Sequence, residues 1–326
     1  MEKVMLYVGI DVSKLSFDVA ILNNSSYQNK QFVNDSEGFK ALSKWVKPFS
    51  KEVVFCMEAA GIYGLALAKH LVQKGEKIIV ANPIKTNAFA KMEMSRNKTD
   101  KADAQSISRY CKHLDDKGEI TKNLFKPKGE AFEKLQFLIT RLEQLDKIAT
   151  QENNRLGVSL DKEAVRSIKS MLSHIDKQII KIKTVLKEIV KQDDTLNQQV
   201  GLLISIPGIG EKTAWAILAY LGDISLFSNA KQVTSYAGIN PKIEQSGTSV
   251  NKSSLSKIGN KHLRKALYMP ALTAAKHNPL MKDLYERLQQ KGKPNKVALC
   301  AVMRKLLVVA YGVLKSGKAF DPCYQR

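Results

Sequence analysis

A chain of 326 residues that is 44% hydrophobic and 25% charged can bury a sizeable core, suits two domains, and does not read as low-complexity or disordered. Its 52 Lys and Arg against 31 Asp and Glu leave a net charge of +21. That surplus favours a polyanionic partner, since each neutralised phosphate releases condensed counterions; charge kept for solubility, or attraction to an acidic membrane, are the competing readings. Cys56, Cys111, Cys300 and Cys323 lie too far apart for paired zinc-ligand spacing and ask for no disulfide, so a reducing compartment fits. No charged-then-apolar leader opens the chain, and no uninterrupted apolar run reaches membrane-spanning length, so the expectation is a cytoplasmic protein with no membrane partner.

The first third alternates strand and helix signals. Met5–Ile10 is an apolar run ending at Asp11. Ser16–Leu22 alternates like a strand, and Tyr27–Val33 follows after the turn cluster Asn23-Asn24-Ser25-Ser26. Ser36 can cap a helix through Val46 with Phe39, Leu42 and Trp45 on one face. Glu52–Met57 reads as a buried strand ending at Glu58, Ile62–Gln73 as a helix stopped by Gly75, and Lys77–Ala81 as a strand closed by Asn82-Pro83. Thr99 caps a helix reaching about His113. Three strands, helix, strand, helix, strand, helix is the order of a ribonuclease-H-like mixed sheet.

The middle carries heptad spacing. Leu135, Leu138, Leu142 and Leu145 step by three and four, and so do Ile168, Leu172, Ile175, Ile179, Ile182, Leu186 and Ile189. A coiled coil or long helical hairpin follows, turning near Leu156-Gly157-Val158-Ser159. Its lysine-rich half, Lys162–Lys191, is either a nucleic-acid contact or a solvated helix face. The last third is helical, with apolar runs at Val200–Ile204 and Thr213–Leu221. A polar stretch, Glu244–Asn260, precedes helices over Leu263–Ala275, Pro279–Gln290 and Asn295–Leu314. The expected domains are 1–127, 128–195 and 196–326.

Two groups of residues carry chemistry. Asp11 and Glu58 each end an apolar strand, and Asp100 and Asp103 open a helix three residues apart, on one face. Carboxylates so gathered suit Mg²⁺, with Mn²⁺ also accepted, and two such ions can drive phosphoryl transfer. Each acid alone also has a plainer reading, Asp100 as a helix-dipole partner and Asp11 as a turn residue. Arg96 and Lys98, in the basic stretch Lys91–Lys98 just before the helix, would sit beside a bound phosphodiester; the plainer reading is a surface loop. The second group is Gln245-Ser246-Gly247-Thr248-Ser249, a hydroxyl-rich loop followed by Lys257 and Arg264, cations able to hold phosphate beside an attacking serine. His262 is the only imidazole nearby; by composition alone the stretch also reads as a polar loop. Pro207-Gly208-Ile209-Gly210, between helices, is similar to a helix-hairpin-helix turn, in which Gly208 and Gly210 let backbone N–H groups approach phosphate.

Three ordered segments, Gly9-Ile10-Asp11-Val12-Ser13-Lys14, Glu58-Ala59-Ala60-Gly61-Ile62-Tyr63 and Arg96-Asn97-Lys98-Thr99-Asp100-Lys101-Ala102-Asp103, resemble the N-terminal domain of DEDD transposases of the insertion sequence 110 family. Pro207-Gly208-Ile209-Gly210, Ala237-Gly238-Ile239-Asn240-Pro241, Ser246-Gly247-Thr248-Ser249, Ser256-Lys257-Ile258-Gly259-Asn260 and Leu263-Arg264-Lys265-Ala266-Leu267 resemble that family's second domain. The resemblance spans essentially the whole chain. It implies a RuvC-like α/β domain holding Mg²⁺ through Asp11, Glu58, Asp100 and Asp103, then a coiled-coil insert and a mainly α C-terminal transposase domain. It also implies a catalytic Ser246 that forms a covalent phosphoserine with DNA, Ser249 being the alternative three residues on. A noncoding bridge RNA pairing with donor and target DNA, and a homo-oligomer, dimer or tetramer, complete the expectation. The competing functions are a RuvC-like nuclease or Holliday-junction resolvase that uses water as nucleophile, and a non-enzymatic nucleic-acid-binding protein.

Overall fold

The computed structural model describes residues 5–23, 26–49, 52–94, 99–246 and 250–323, which divide into two compact units, Met1–Pro127 and Lys128–Arg326.

The first unit is built on a five-stranded sheet. β1 (Leu6–Val12), β2 (Ser16–Asn23) and β3 (Ser26–Val33) form an antiparallel meander, and after α1 (Ser36–Val46) β4 (Val53–Glu58) returns parallel to β1. α2 (Ile62–Gln73) crosses over to β5 (Lys77–Ala81), parallel to β4, giving the order β3-β2-β1-β4-β5. α3 (Pro83–Met92), α4 (Asp100–Asp116) and the single turn α5 (Ile120–Asn123) complete the unit. Alternation along the strands gives the sheet two apolar faces. Val8, Ile10, Phe17, Val19, Phe55 and Met57 pack with Phe39 and Leu42 of α1 and Leu67 and Leu71 of α2. Val54, Cys56, Ile79 and Ala81 pack with Ile107, Tyr110, Cys111 and Leu114 of α4.

Gly9 decides how close α4 lies. A Cβ there would sit 2.0 Å from the Ala104 carbonyl oxygen and 2.3 Å from the Ser108 nitrogen, so only a residue without a side chain lets the helix backbone rest on β1. Thr99 starts α4 as read from the sequence, its hydroxyl accepting from Ala102 N. Asp35 rather than Ser36 caps α1. Asn82-Pro83, expected to close a strand, also starts α3: Asn82 accepts from Ile84 N, and Pro83 takes the first helical position, where its missing N–H costs nothing.

The second unit is helical. α6 (Glu130–Leu156) and α7 (Lys162–Gln192) form a helical hairpin that turns where the sequence placed it. α8 (Asp194–Ile204), α9 (Glu211–Leu221), a 3-10 turn at Ile224–Leu226 and α10 (Ala230–Tyr236) follow. β6 (Pro241–Ser246) and β7 (Val250–Leu255) pair antiparallel, and α11 (Lys261–Ala266), α12 (Tyr268–His277), α13 (Pro279–Gln290) and α14 (Asn295–Ser316) end the unit. Ala214–Leu221 of α9 is buried throughout and shares one core with Leu135 and Ile139 of α6, Leu186 and Val190 of α7, and the inner side of α14.

Three expectations need correction here. The polar stretch Glu244–Asn260 contains most of a two-stranded ribbon rather than only loop. The helix expected over Leu263–Ala275 is two helices that meet at Leu267; Pro270, which has no N–H to bond back along a continuous helix, sits in the first turn of α12, where none is needed. α14, 22 residues long, is long and apolar enough to cross a membrane despite Arg304 and Lys305 interrupting it, but Val302, Leu306, Leu307 and Ala310 are fully buried, as in the core helix of a globular unit.

Candidate catalytic site

Asp11 lies opposite Asp18 across the β1–β2 pair, and Asp18 lies opposite Gln31 on β3. One step beyond the Ile10–Met57 pair, Asp11 and Glu58 are the next residues on neighbouring parallel strands. Residues opposite one another share a face, so Gln31, Asp18, Asp11 and Glu58 form one polar row across four strands. By alternation with Gly9 and Cys56, the row faces α4. The close seat of α4 on Gly9 sets Asp100 and Asp103, in its first turn, toward the same row.

The electrostatics report the same convergence. Burial, then the negative charges of Asp103, Asp100, Glu58 and Asp18, push the Asp11 carboxyl from 3.8 up to about 6. Among the described residues no cation pairs with Asp11, Glu58, Asp100 or Asp103. Glu58 instead accepts from the hydroxyl of buried Thr86, whose Oγ1 lies 3.1 Å from the Pro83 carbonyl. The Gln31 amide donates to Asp18 at 2.9 Å. Asp18 and Thr86 were missed in the sequence. The strand pairing could have found Asp18, since a hairpin turning at Ser13-Lys14-Leu15 sets it across from Asp11. Thr86 lies in the helix that was not foreseen.

An all-oxygen site with uncompensated negative charge is chemically suited to a hard divalent cation. Among the described residues, however, no three carboxylate, imidazole or thiol groups converge closely enough to hold one ion. The donors fit such a cation in type and charge; a closed coordination shell is not formed by these side chains alone.

Ser246, in the second unit, is the last residue of β6 and pairs with Val250. Residues 247–249, Ser249 among them, and the Ser246 side chain lie outside the described residues, as do Arg96 and Lys98. The base of the β6–β7 ribbon is firmly held. Ser256 N donates to Asn240 O at 2.9 Å, Lys257 N to Gly238 O at 3.0 Å and Asn260 N to Tyr236 O at 2.6 Å. Two chain segments cross there in contact: a Cβ on Gly259, whose φ is +145°, would lie 2.4 Å from the Tyr236 oxygen and 2.6 Å from Gly238 N. Six residues of strand then carry Ser246 about 16 Å from Pro241. Residues 241–245 are exposed, so this strand extends from its anchored base with little packing.

The other expected phosphate ligands fall in different settings. Lys257 is exposed, in a left-handed conformation with φ +56°. Arg264 is half-buried and gives one donor to Ala237 O at 3.0 Å. Gly208 is packed: a Cβ would lie 2.7 Å from that of Ala274. Gly210 has open space and precedes α9 with no side-chain cap. His262 belongs to the helical body, its Nδ1 3.1 Å from Glu143 Oε2 and its ring stacked 5.3 Å from that of Tyr220, which also donates to Glu143 at 2.7 Å.

A mixed sheet with an acid row under a helix that brings two more acids, followed by a helical unit, fits a ribonuclease-H-like DNA transposase. Residues 8–164 match the DEDD transposases of IS110, and residues 200–286 match the family described as Transposase IS116/IS110/IS902. The pilin gene-inverting proteins of Moraxella lacunata and Moraxella bovis are each 33% identical to this chain over 326 residues, covering 97% of both chains. The insertion element IS110 43.6 kDa protein of Streptomyces coelicolor is 31% identical over 120 residues, 37% of this chain and 30% of its own. The chain belongs to the IS116/IS110/IS902 family of transposases and is a DNA transposase or recombinase.

Proposed function

We propose that the protein cuts and rejoins donor and target DNA through a covalent phosphoserine at Ser246, with the help of Mg²⁺ held by Asp11, Glu58, Asp100 and Asp103 in a RuvC-like domain. The observation that carries this reading is the uncompensated acid row that raises Asp11. A bound divalent cation would neutralise the row and stabilise charge on the scissile phosphate. The Ser246 Oγ forms a bond to phosphorus as the bond from phosphorus to a deoxyribose oxygen breaks. The serine proton passes to a base, and the leaving deoxyribose oxygen takes up a proton from solvent and stays on its strand as a hydroxyl. Attack by a hydroxyl of another strand reverses the step and rejoins the DNA, with no input of energy. Thr86 holds Glu58 in place, and the anchored ribbon base carries the serine loop. Arg96, Lys98, Lys257 and Arg264 bind phosphates, and Gly208 and Gly210 mark a backbone contact to DNA. A noncoding bridge RNA selects donor and target, and the helical hairpin serves as a coiled coil in a dimer or tetramer located with the nucleoid in the cytoplasm.

Similarity along 97% of both chains to two pilin gene-inverting proteins favours a second outcome for the same chemistry, inversion of a DNA segment between two sites.

The test is covalent trapping on a denaturing gel. Wild type, Ser246→Ala, Ser249→Ala and Asp11→Asn are incubated with junction DNA, the flanking noncoding RNA and Mg²⁺. An adduct lost with Ser246→Ala, kept with Ser249→Ala and dependent on RNA and metal supports the proposal. Cleavage without adduct that survives Ser246→Ala leaves the nuclease that uses water. A plasmid carrying the junction in inverted orientation distinguishes inversion from insertion.

A further inference from the structure

The two helices of the hairpin are similar in length and opposite in charge character. α6 carries four Lys and Arg (Lys134, Arg141, Lys147, Arg155) against five acids, whereas α7 carries eight against three. A face charged only for solubility has no reason to collect its cations on one helix. All eight on α7 are exposed: Lys162, Arg166, Lys169, Lys177, Lys181, Lys183, Lys187 and Lys191. Arg166 pairs with Glu163 and Lys187 with Glu211, and the other six have no carboxylate partner among the described residues.

Their placement is directional. At 3.6 residues per turn the eight cations fall within an arc of roughly 160°, and the apolar seam from Ile168 to Ile189 lies roughly on the opposite side. Ile175, Leu186 and Val190 are the buried residues of the helix, which fixes the seam as the inward side and the cations as the outward one. At 1.5 Å per residue the stripe is about 43 Å long, longer than one turn of duplex DNA at 34 Å.

We infer that the outward face of α7 is a docking surface for the phosphate backbone of duplex DNA. Charge complementarity makes the partner a polyphosphate. The face has no Phe, Tyr or Trp anywhere from Lys162 to Gln192, so it lacks the platforms on which single-stranded nucleic acid stacks its bases. A duplex, with its bases already stacked, asks only for cations at backbone spacing, and Lys183, Lys187 and Lys191 recur about every 6 Å. DNA is the duplex on which this family acts. The contact is independent of sequence and of catalysis: it holds the flank of the site while other residues select and cut it.

The experiment measures binding of the full-length protein to a fluorescein-labelled 20-base-pair duplex DNA of arbitrary sequence, by anisotropy from about 50 to 250 mM NaCl. The variant Lys177→Gln/Lys181→Gln/Lys183→Gln is compared with wild type and with Lys40→Gln/Lys44→Gln/Lys47→Gln, on α1 and the residue just after it, which removes the same charge elsewhere. Gln is a good helix former, so both variants keep their helices, checked by circular dichroism. The expected result is a slope of log K against log salt shallower by about 2 to 3 for the α7 variant, near 0.9 per lost phosphate contact, with little change for the α1 variant. Equal loss in both variants, or no loss in either, overturns the inference. A loss seen only with duplex RNA of the same sequence overturns the choice of DNA. A change in oligomeric mass on sedimentation without a change in slope reassigns the face to contact between copies and overturns it as well.

Discussion

Replacing Asp11 by Asn isolates the charge held by the acid row. In the folded chain Asp11 is pushed from 3.8 up to about 6 by burial and by Asp103, Asp100, Glu58 and Asp18. About two pKa units correspond to roughly 3 kcal/mol against the ionised form, at about 1.4 kcal/mol per unit. Asp11 is only partly buried, so solvent screening reduces this to about 1 to 2 kcal/mol. The folded state therefore holds this proton more tightly than the unfolded one. The group costs nothing below about pH 4, where both states are protonated. Its destabilising effect grows as pH rises from about 4 to 6 and is complete above that. Asp11→Asn removes the charge while keeping the shape. In EDTA the variant is expected to melt about 3 to 6 °C above wild type at pH 7.5 and level with it at pH 4, read by thermal denaturation with circular dichroism. Added Mg²⁺ raises the wild-type midpoint at pH 7.5, because a cation compensates the same repulsion, and leaves the variant nearly unmoved. A variant less stable than wild type at pH 7.5 in EDTA, or a difference that does not change with pH, refutes this account of the site.

Other perturbations follow from single contacts. Gly9→Ala forces α4 off the sheet, since the new Cβ meets the Ala104 carbonyl at 2.0 Å, and should cost about 1 to 3 kcal/mol in urea denaturation together with most DNA cleavage. Thr86→Val removes the hydroxyl that orients Glu58, with a predicted drop of about 10-fold or more in Mn²⁺ affinity by calorimetry while the fold is kept. Asp18→Asn keeps an oxygen that can accept from Gln31 but removes one of the charges facing Asp11, so the metal-free protein should melt higher at pH 7.5, and an unchanged or lower midpoint would count against a shared row. Gly259→Ala places a Cβ 2.4 Å from the Tyr236 oxygen at a left-handed φ, and should loosen the base of the ribbon and suppress the Ser246 adduct even where melting shows the helical core intact.

The sequence made the first unit readable because each strand there alternates or runs apolar between clear turns, and four of the acids lie at or next to a strand end or in the first turn of a helix. Asp11, Glu58, Asp100 and Asp103 were visible for that reason. Asp18 was not, because inside a strand it reads as one polar residue in an alternating pattern; only the register of β1 with β2 turns it toward Asp11. α3 was hidden by Asn82-Pro83, a pair that ends a strand and starts a helix with equal ease. The β6–β7 ribbon was hidden because its strands are polar in sequence, with residues 241–245 exposed, so no apolar period marks them.

Composition also concealed the reason for the glycine motifs of the second unit. Gly238 and Gly259 lie twenty-one residues apart and read separately as loop signals, yet they are the two sides of one backbone crossing. Gly208, which reads as a phosphate contact, is required by the approach of Ala274 whatever else its backbone does. A glycine motif therefore carries two demands that sequence alone cannot separate, close packing and ligand approach. In this chain packing accounts for Gly9, Gly208, Gly238 and Gly259, while Gly210, with open space around it and an uncapped helix behind it, is the glycine for which ligand approach remains the better physical reason.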